Sequence, residues 1–153
     1  QLQNLQYPIK ESHIHSGLQH VKKLTGLHGR WEVIQEHPTI ILDVAHNEAG
    51  ITQVMEQLEI TDYHELHIVL GMDKEIERVL RLLPNYAKYY FTNAQIPRAL
   101  SSSELQAMAL PFGLIGKTYI DVNEALKEAK LKARKDDLIM VCGSVFLISE
   151  IAY

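Results

Sequence analysis

Residues 39–50 read Thr39-Ile40-Ile41-Leu42-Asp43-Val44-Ala45-His46-Asn47-Glu48-Ala49-Gly50. An apolar run ends in an acid, a histidine and an asparagine. A helical pattern starts at once, with Ile51, Val54, Met55 and Leu58 at i, i+3, i+4 and i+7. This is a buried strand, a polar turn and an amphipathic helix, with Asn47 able to cap the helix. In open α/β sheets ligands bind at the carboxyl ends of the strands, so the polar turn stands where that architecture puts chemistry.

The same alternation runs on towards the carboxyl terminus. Leu66 to Gly71 form a second apolar run, followed by Ile76, Val79, Leu80 and Leu83 at helical spacing up to Pro84. Tyr89-Tyr90-Phe91 is a short aromatic strand ending at Thr92-Asn93. Ser101 or a neighbouring serine, with Glu104, opens a helix through Leu110. Lys117 to Ile120 read as a strand, Asp121 with Glu124 as the next helix start, Leu138 to Cys142 as the last strand, and Val145 to Ala152 as the final helix. Upstream, Gly29 to Ile34 open a strand that His37-Pro38 breaks. So short a return to Ile40 makes that pair antiparallel and puts the first strand at a sheet edge. Strand–helix alternation with continuous apolar strands predicts a three-layer α/β fold. Its six-stranded sheet is mostly parallel, with one antiparallel edge strand.

Bulk properties narrow the function. The 153 residues suit one domain, large enough to bury roughly 70% of the unfolded chain's surface. A net charge of −4 gives no general polyanion-binding signature. The single cysteine, Cys142, excludes an internal disulfide and suits a reducing, cytoplasmic setting. No apolar run reaches the ~20 residues of a membrane span. The first residue is Gln1 rather than Met, which suits either a piece from a longer polypeptide or a processed chain, and residues 1–16 read as a linker remnant. Gly17 to Leu24 has the spacing of a short helix. His13 and His15 form an H-x-H pair, but nothing nearby in sequence supplies further metal ligands.

Four polar groups fall just after strand ends: Asp43/His46/Asn47, Asp73/Lys74, Thr92/Asn93 with Arg98, and Gly143/Ser144. In a parallel sheet all four turns share one edge. Cations and helix starts there suit a ligand carrying carboxylate or phosphate groups. Each turn alone also has a structural reading, as a cap or a solvated loop. Gly116-Lys117-Thr118 imitates the end of a triphosphate loop, but Pro111 stands at the first glycine position and a strand follows instead of a helix. G-x-G-x-x-G and G-x-S-x-G are both absent, which leaves Ser144 a poor candidate for a hydrolase nucleophile. The late lysines of the 122–135 stretch are diluted by acids and read as a solvated face.

Taken together, Gly29-Arg30-Trp31-Glu32 and Asp43-Val44-Ala45-His46-Asn47 resemble the G-R-[FW]-[EQ] and D-x-A-H-N-P signatures of the Mur ligase superfamily's C-terminal domain. The closer resemblance is to folylpolyglutamate synthase/dihydrofolate synthase, through Asp73-Lys74-Glu75, Pro97-Arg98-Ala99 and Gly143-Ser144-Val145. Glu48 departs from the family's Pro, and Glu75 from its second Asp. The resemblance covers residues 17–153 as one glutamate ligase domain. It implies an ATP-dependent ligase that adds glutamate to folate or dihydropteroate through an acyl phosphate. The N-terminal and central ATPase domains are absent from this chain, so the fragment alone is expected to be inactive. ATP and Mg would be held mainly by the central domain. By the resemblance, Arg30 and Asp43 would face the nucleotide, and His46, Asn47, Lys74, Arg98 and Ser144 the glutamate. No metal ligand is expected in this chain. The same superfamily leaves open a peptidoglycan-precursor ligase domain, and the missing phosphate loop a non-catalytic nucleotide- or carboxylate-binding module. No nucleic-acid or membrane partner is expected.

Overall fold

The computed structural model describes residues 3–73 and 76–152. Six strands form one sheet: β1 (Glu32–Glu36), β2 (Thr39–Asp43), β3 (Leu66–Leu70), β4 (Lys88–Phe91), β5 (Gly116–Thr118) and β6 (Leu138–Cys142), in the order β1-β2-β6-β3-β4-β5. Among the described residues only the β1–β2 pair is antiparallel. The edge strand and the parallel sheet expected from the alternation are therefore both present. The first strand starts later than its apolar pattern suggests. Gly29 to Trp31 form a loop with positive φ at Gly29 and Trp31, which ladder pairing does not accommodate.

The central strands read as unbroken apolar runs because both their faces are covered. Ile41, Ile68, Leu70, Met140 and Phe91 point to one side, against α3 (Glu48–Glu59), α4 (Glu77–Leu80) and α5 (Ser102–Ala109). Ile40, Leu42, Val69, Ile139 and Val141 point to the other, against α6 (Val122–Lys132) and α7 (Val145–Ser149). The i, i+3, i+7 set Ile51, Val54 and Leu58 is the buried face of α3, as its spacing requires.

Helix starts follow the side-chain chemistry. Asn47 accepts the Gly50 N–H, and Ser101 with Glu104 closes a capping box. Asp121 accepts the N–H groups of Asn123 and Glu124. The last helix ends at Ser149, short of Ala152. Ahead of the sheet, α1 (Glu11–Gln19) runs across residues 16 and 17, and α2 (Val21–Thr25) follows; neither has a buried residue. Gly116-Lys117-Thr118 is strand β5.

Candidate functional site

Parallel pairing sets the strand ends level. Asp43 and Leu70 both stand opposite Cys142, and Leu70 stands opposite Phe91. The loops after β2, β3, β4 and β6 thus leave one edge of the sheet.

The loop after β2 is built on Asp43, which is 9% exposed. Its Oδ1 accepts the Ala45 N–H at 2.8 Å, and its Oδ2 accepts the Trp31 N–H, also at 2.8 Å. The carboxylate thereby clamps the Gly29–Trp31 loop onto the end of β2. Gly29 is required there: its φ is +73°, and a Cβ would lie 2.6 Å from Val44 Cγ1. Glu32 closes the same loop. It accepts the Gly29 N–H at 2.8 Å and pairs with Lys22 and His28. Burial favours its neutral form, but the Lys22 ammonium, the Gly29 N–H and His28 together outweigh that and hold its pKa at about 2.

A cleft of about 430 Å³ opens beside this clamp, lined by Arg30, Trp31, Asp43, His46, Asn47 and the α3 residues Gln53 and Gln57 among others. The clamp leaves Arg30 exposed at the cleft. His46 Nδ1 lies 3.0 Å from the Val44 carbonyl. A carbonyl can only accept, so Nδ1 is the donor of this pair. His46 and Asn47 also line a second cleft of about 730 Å³ with Glu48, Arg78 and Met108. There Arg78 Nη1 stands 3.9 Å from Glu48 Oε2.

The remaining loops meet at Arg98. Its Nε lies 3.1 Å from Asp73 Oδ2, and its guanidinium stacks 4.7 Å above the Phe146 ring. One side chain so connects the loops after β3, β4 and β6. Ser144 is buried, and its oxygen caps α7 by accepting the Phe146 N–H at 3.2 Å. Gly143 lies so close to the Gly71 carbonyl that a Cβ would come within 2.3 Å of its oxygen. Asp73 Oδ1 and Thr92 Oγ1 are buried with no hydrogen-bond partner among the described residues. Such atoms are costly unless something else reaches them.

The structure brings Arg30, Asp43, His46 and Asn47 into one cleft, and places Arg98 and Ser144 in loops of the same sheet edge. Lys74 lies outside the described residues. Gln53, Gln57 and Arg78 do not stand out in the sequence; Glu32 does so only as the end of the Gly29–Glu32 motif, and Phe146 only beside Gly143-Ser144-Val145. The i, i+4 spacing of Gln53 and Gln57 on the polar side of α3 is the signal that could have found the pair. The side chains exposed at this edge include cationic and amide donors, Asp43 is engaged through both oxygens and Asp73 through Oδ2 with Arg98, and those donors suit an anionic ligand.

Residues 29–145 match the family model for the Mur ligase, glutamate ligase domain. The chain is 34% identical over 125 residues to a probable bifunctional folylpolyglutamate synthase/dihydropteroate synthase of Haloferax volcanii, covering 80% of this chain and 15% of that protein. It is 30% identical over 132 residues to a UDP-N-acetylmuramoyl-L-alanyl-D-glutamate–2,6-diaminopimelate ligase of Bacillus cereus, covering 80% and 27%. A crystal structure of a bifunctional folylpolyglutamate synthase/dihydrofolate synthase with Mn, AMPPNP and L-glutamate bound superposes with a TM-score of 0.79 at 28% identity, over 94% of this chain and 34% of that one. The chain thus spans about a third or less of the length of these proteins. With its fold, its ordered motifs and a matching family model over most of its length, the chain belongs to the Mur ligase, glutamate ligase domain family.

Proposed function

We propose that this chain is the amino-acid-presenting domain of a folylpolyglutamate synthase/dihydrofolate synthase, a ligase that adds glutamate to folate or dihydropteroate. The observation that carries this reading is the placement of the resembling motifs: Gly29–Trp31, Asp43–Asn47, Asp73, Arg98 and Gly143–Ser144 all stand in or against the loops of one sheet edge. In this reading a central ATPase domain of the same polypeptide faces that edge and holds most of the ATP and Mg. ATP supplies the phosphoryl group that activates the acceptor carboxyl, and the glutamate amine then displaces phosphate to form the amide.

The residues of this chain orient the partners. Arg30, exposed at the cleft, reaches the nucleotide phosphates. Asp43, its two oxygens engaged by backbone N–H groups, acts on the nucleotide side by holding the Arg30 loop in place. His46 Nε2, Asn47 and Arg98 address the amino acid, with Arg98 forming the bidentate pair that a planar guanidinium makes with a carboxylate. Ser144 keeps its hydroxyl hydrogen to donate while its oxygen caps α7. Lys74 joins them on the strength of the resemblance alone. Closure of two such domains would keep water from an easily hydrolysed acyl phosphate and orient the amine. The chain by itself has no turnover in this reading, and its setting is the cytoplasm.

The diaminopimelate-ligase relative supports a second reading, a peptidoglycan-precursor ligase domain. Assay of a full-length protein carrying this chain separates the two. ATP-dependent incorporation of labelled glutamate into dihydropteroate or tetrahydrofolate is the expected result. Incorporation of diaminopimelate into a UDP-muramoyl dipeptide, with none of glutamate into folate, would overturn it.

A further inference from the structure

The opposite edge of the sheet, where β3 and β6 begin, carries a second group of ligating side chains. Asp137 precedes β6, and His64 and Glu65 precede β3. One ligand atom from each of the three lies within 4.8 Å of the other two.

Asp137 is fixed. Its side chain is fully buried, Oδ2 accepts the Arg134 N–H at 2.6 Å, and Oδ1 accepts the Glu65 N–H at 3.1 Å. Behind it stands His67, 0% exposed, with Nδ1 2.9 Å from the Tyr90 hydroxyl. His67 Nε2 is buried and has no hydrogen-bond partner among the described residues, yet it points at the same carboxylate, 3.4 Å from Asp137 Oδ2. A buried imidazole backing a carboxylate is the kind of outer support that orients a metal ligand. In front, His64 is exposed, and its Nδ1 lies 3.5 Å from Asp137 Oδ1. That is longer than a charge-assisted hydrogen bond, which closes to about 2.7–2.9 Å. It is close to the ~3.3 Å between two ligands that each sit about 2.0–2.1 Å from one tetrahedral zinc ion.

We infer that His64, Glu65 and Asp137 form a site for a borderline divalent cation, of which zinc fits best. His64 Nδ1, Asp137 Oδ1 and one Glu65 oxygen supply three ligands, and water completes a four-coordinate shell. An imidazole among carboxylates favours zinc over magnesium, which demands six oxygens. Glu65 pairs with Lys88 at 2.6 Å through Oε2, so that ammonium competes with the ion for its carboxylate. The site lies across the sheet from the nucleotide and glutamate residues and does not depend on them.

Calorimetric titration of the metal-free chain with zinc chloride tests this. The background carries His13→Ala and His15→Ala, so that the amino-terminal H-x-H pair contributes nothing. One equivalent is expected to bind, and His64→Ala and Glu65→Gln are each expected to weaken it at least tenfold. Both side chains are partly or largely exposed, so these variants should fold, and equal unfolding midpoints without metal would establish that. Zinc should raise the unfolding midpoint of the background chain but not that of His64→Ala. Absence of one-equivalent binding, or binding that survives His64→Ala unchanged, would overturn the inference.

Discussion

Asp43 Oδ2 accepts the backbone N–H of Trp31 across 12 residues of chain, at 2.8 Å. The first acid of the Asp43–Asn47 motif is thus what holds the loop of the Gly29–Glu32 motif. The two stretches form one structure, and Arg30 is exposed at the cleft because the residue after it is clamped.

Removing that clamp should destabilise the fold as well as the site. Asp43→Ala leaves the Trp31 and Ala45 N–H groups without their acceptor, and a buried unsatisfied group costs about 1–3 kcal/mol. Asp43→Asn keeps one acceptor oxygen and should lose less. Urea unfolding of the chain followed by circular dichroism gives both values. Equal stability of Asp43→Ala and the unaltered chain would show that the loop does not depend on the clamp.

Acid should loosen the same loop through Glu32. Its folded pKa, about 2, lies below the ordinary 4.5, so in the unfolded chain the group takes up its proton first. The stabilisation is complete above the unfolded value and is lost as pH falls from about 4.5 towards 2. Unfolding free energy measured between pH 5 and pH 3 should therefore drop, and Glu32→Gln should flatten that part of the drop.

Asn47 serves the helix and, as proposed, the amino acid, and two substitutions separate these roles. Asn47→Ala removes the acceptor of the Gly50 N–H and should cost roughly 1 kcal/mol of stability. Asn47→Asp keeps a capping oxygen and adds a negative charge. Its unfolding midpoint should stay near that of the unaltered chain, while the glutamate KM of the full-length ligase rises. Thermal melts and steady-state kinetics on the two variants read the two effects.

Gly116 tests the phosphate-loop imitation. A Cβ there would fall 2.0 Å from the Tyr89 carbonyl oxygen, so Gly116→Ala must push β5 away from β4. A loss of about 1–3 kcal/mol is expected in chemical unfolding, as for an overpacked site. Nucleotide KM in the proposed full-length ligase should not change, since the glycine answers to backbone packing.

The architecture was legible because the buried strands carry apolar runs on both faces and the helices carry caps such as Asn47, Ser101 and Asp121. The common edge followed from the parallel order alone. What escaped was what depends on tertiary contact. Gly29 to Trp31 look like the start of a strand, but positive φ and the Asp43 clamp make them a loop. Phe146 reads as an ordinary apolar helix residue until Arg98 is found stacked on it. Glu32 reads as a strand acid until its three partners are seen.

Arg98 gives the sharpest test of the proposed function, since it is the residue proposed to bind the amino acid's carboxylate and its guanidinium is held by stacking on Phe146 and by pairing with Asp73. The measurement is the glutamate KM of the full-length ligase bearing Arg98→Ala. A charge-assisted contact of about 1.5–3 kcal/mol corresponds to a rise of roughly 10- to 100-fold, with ATP KM nearly unchanged and the unfolding midpoint only slightly lowered, since an ion pair as exposed as Arg98–Asp73 contributes about 1 kcal/mol or less. An unaltered glutamate KM would contradict the assignment of this sheet edge to amino-acid binding.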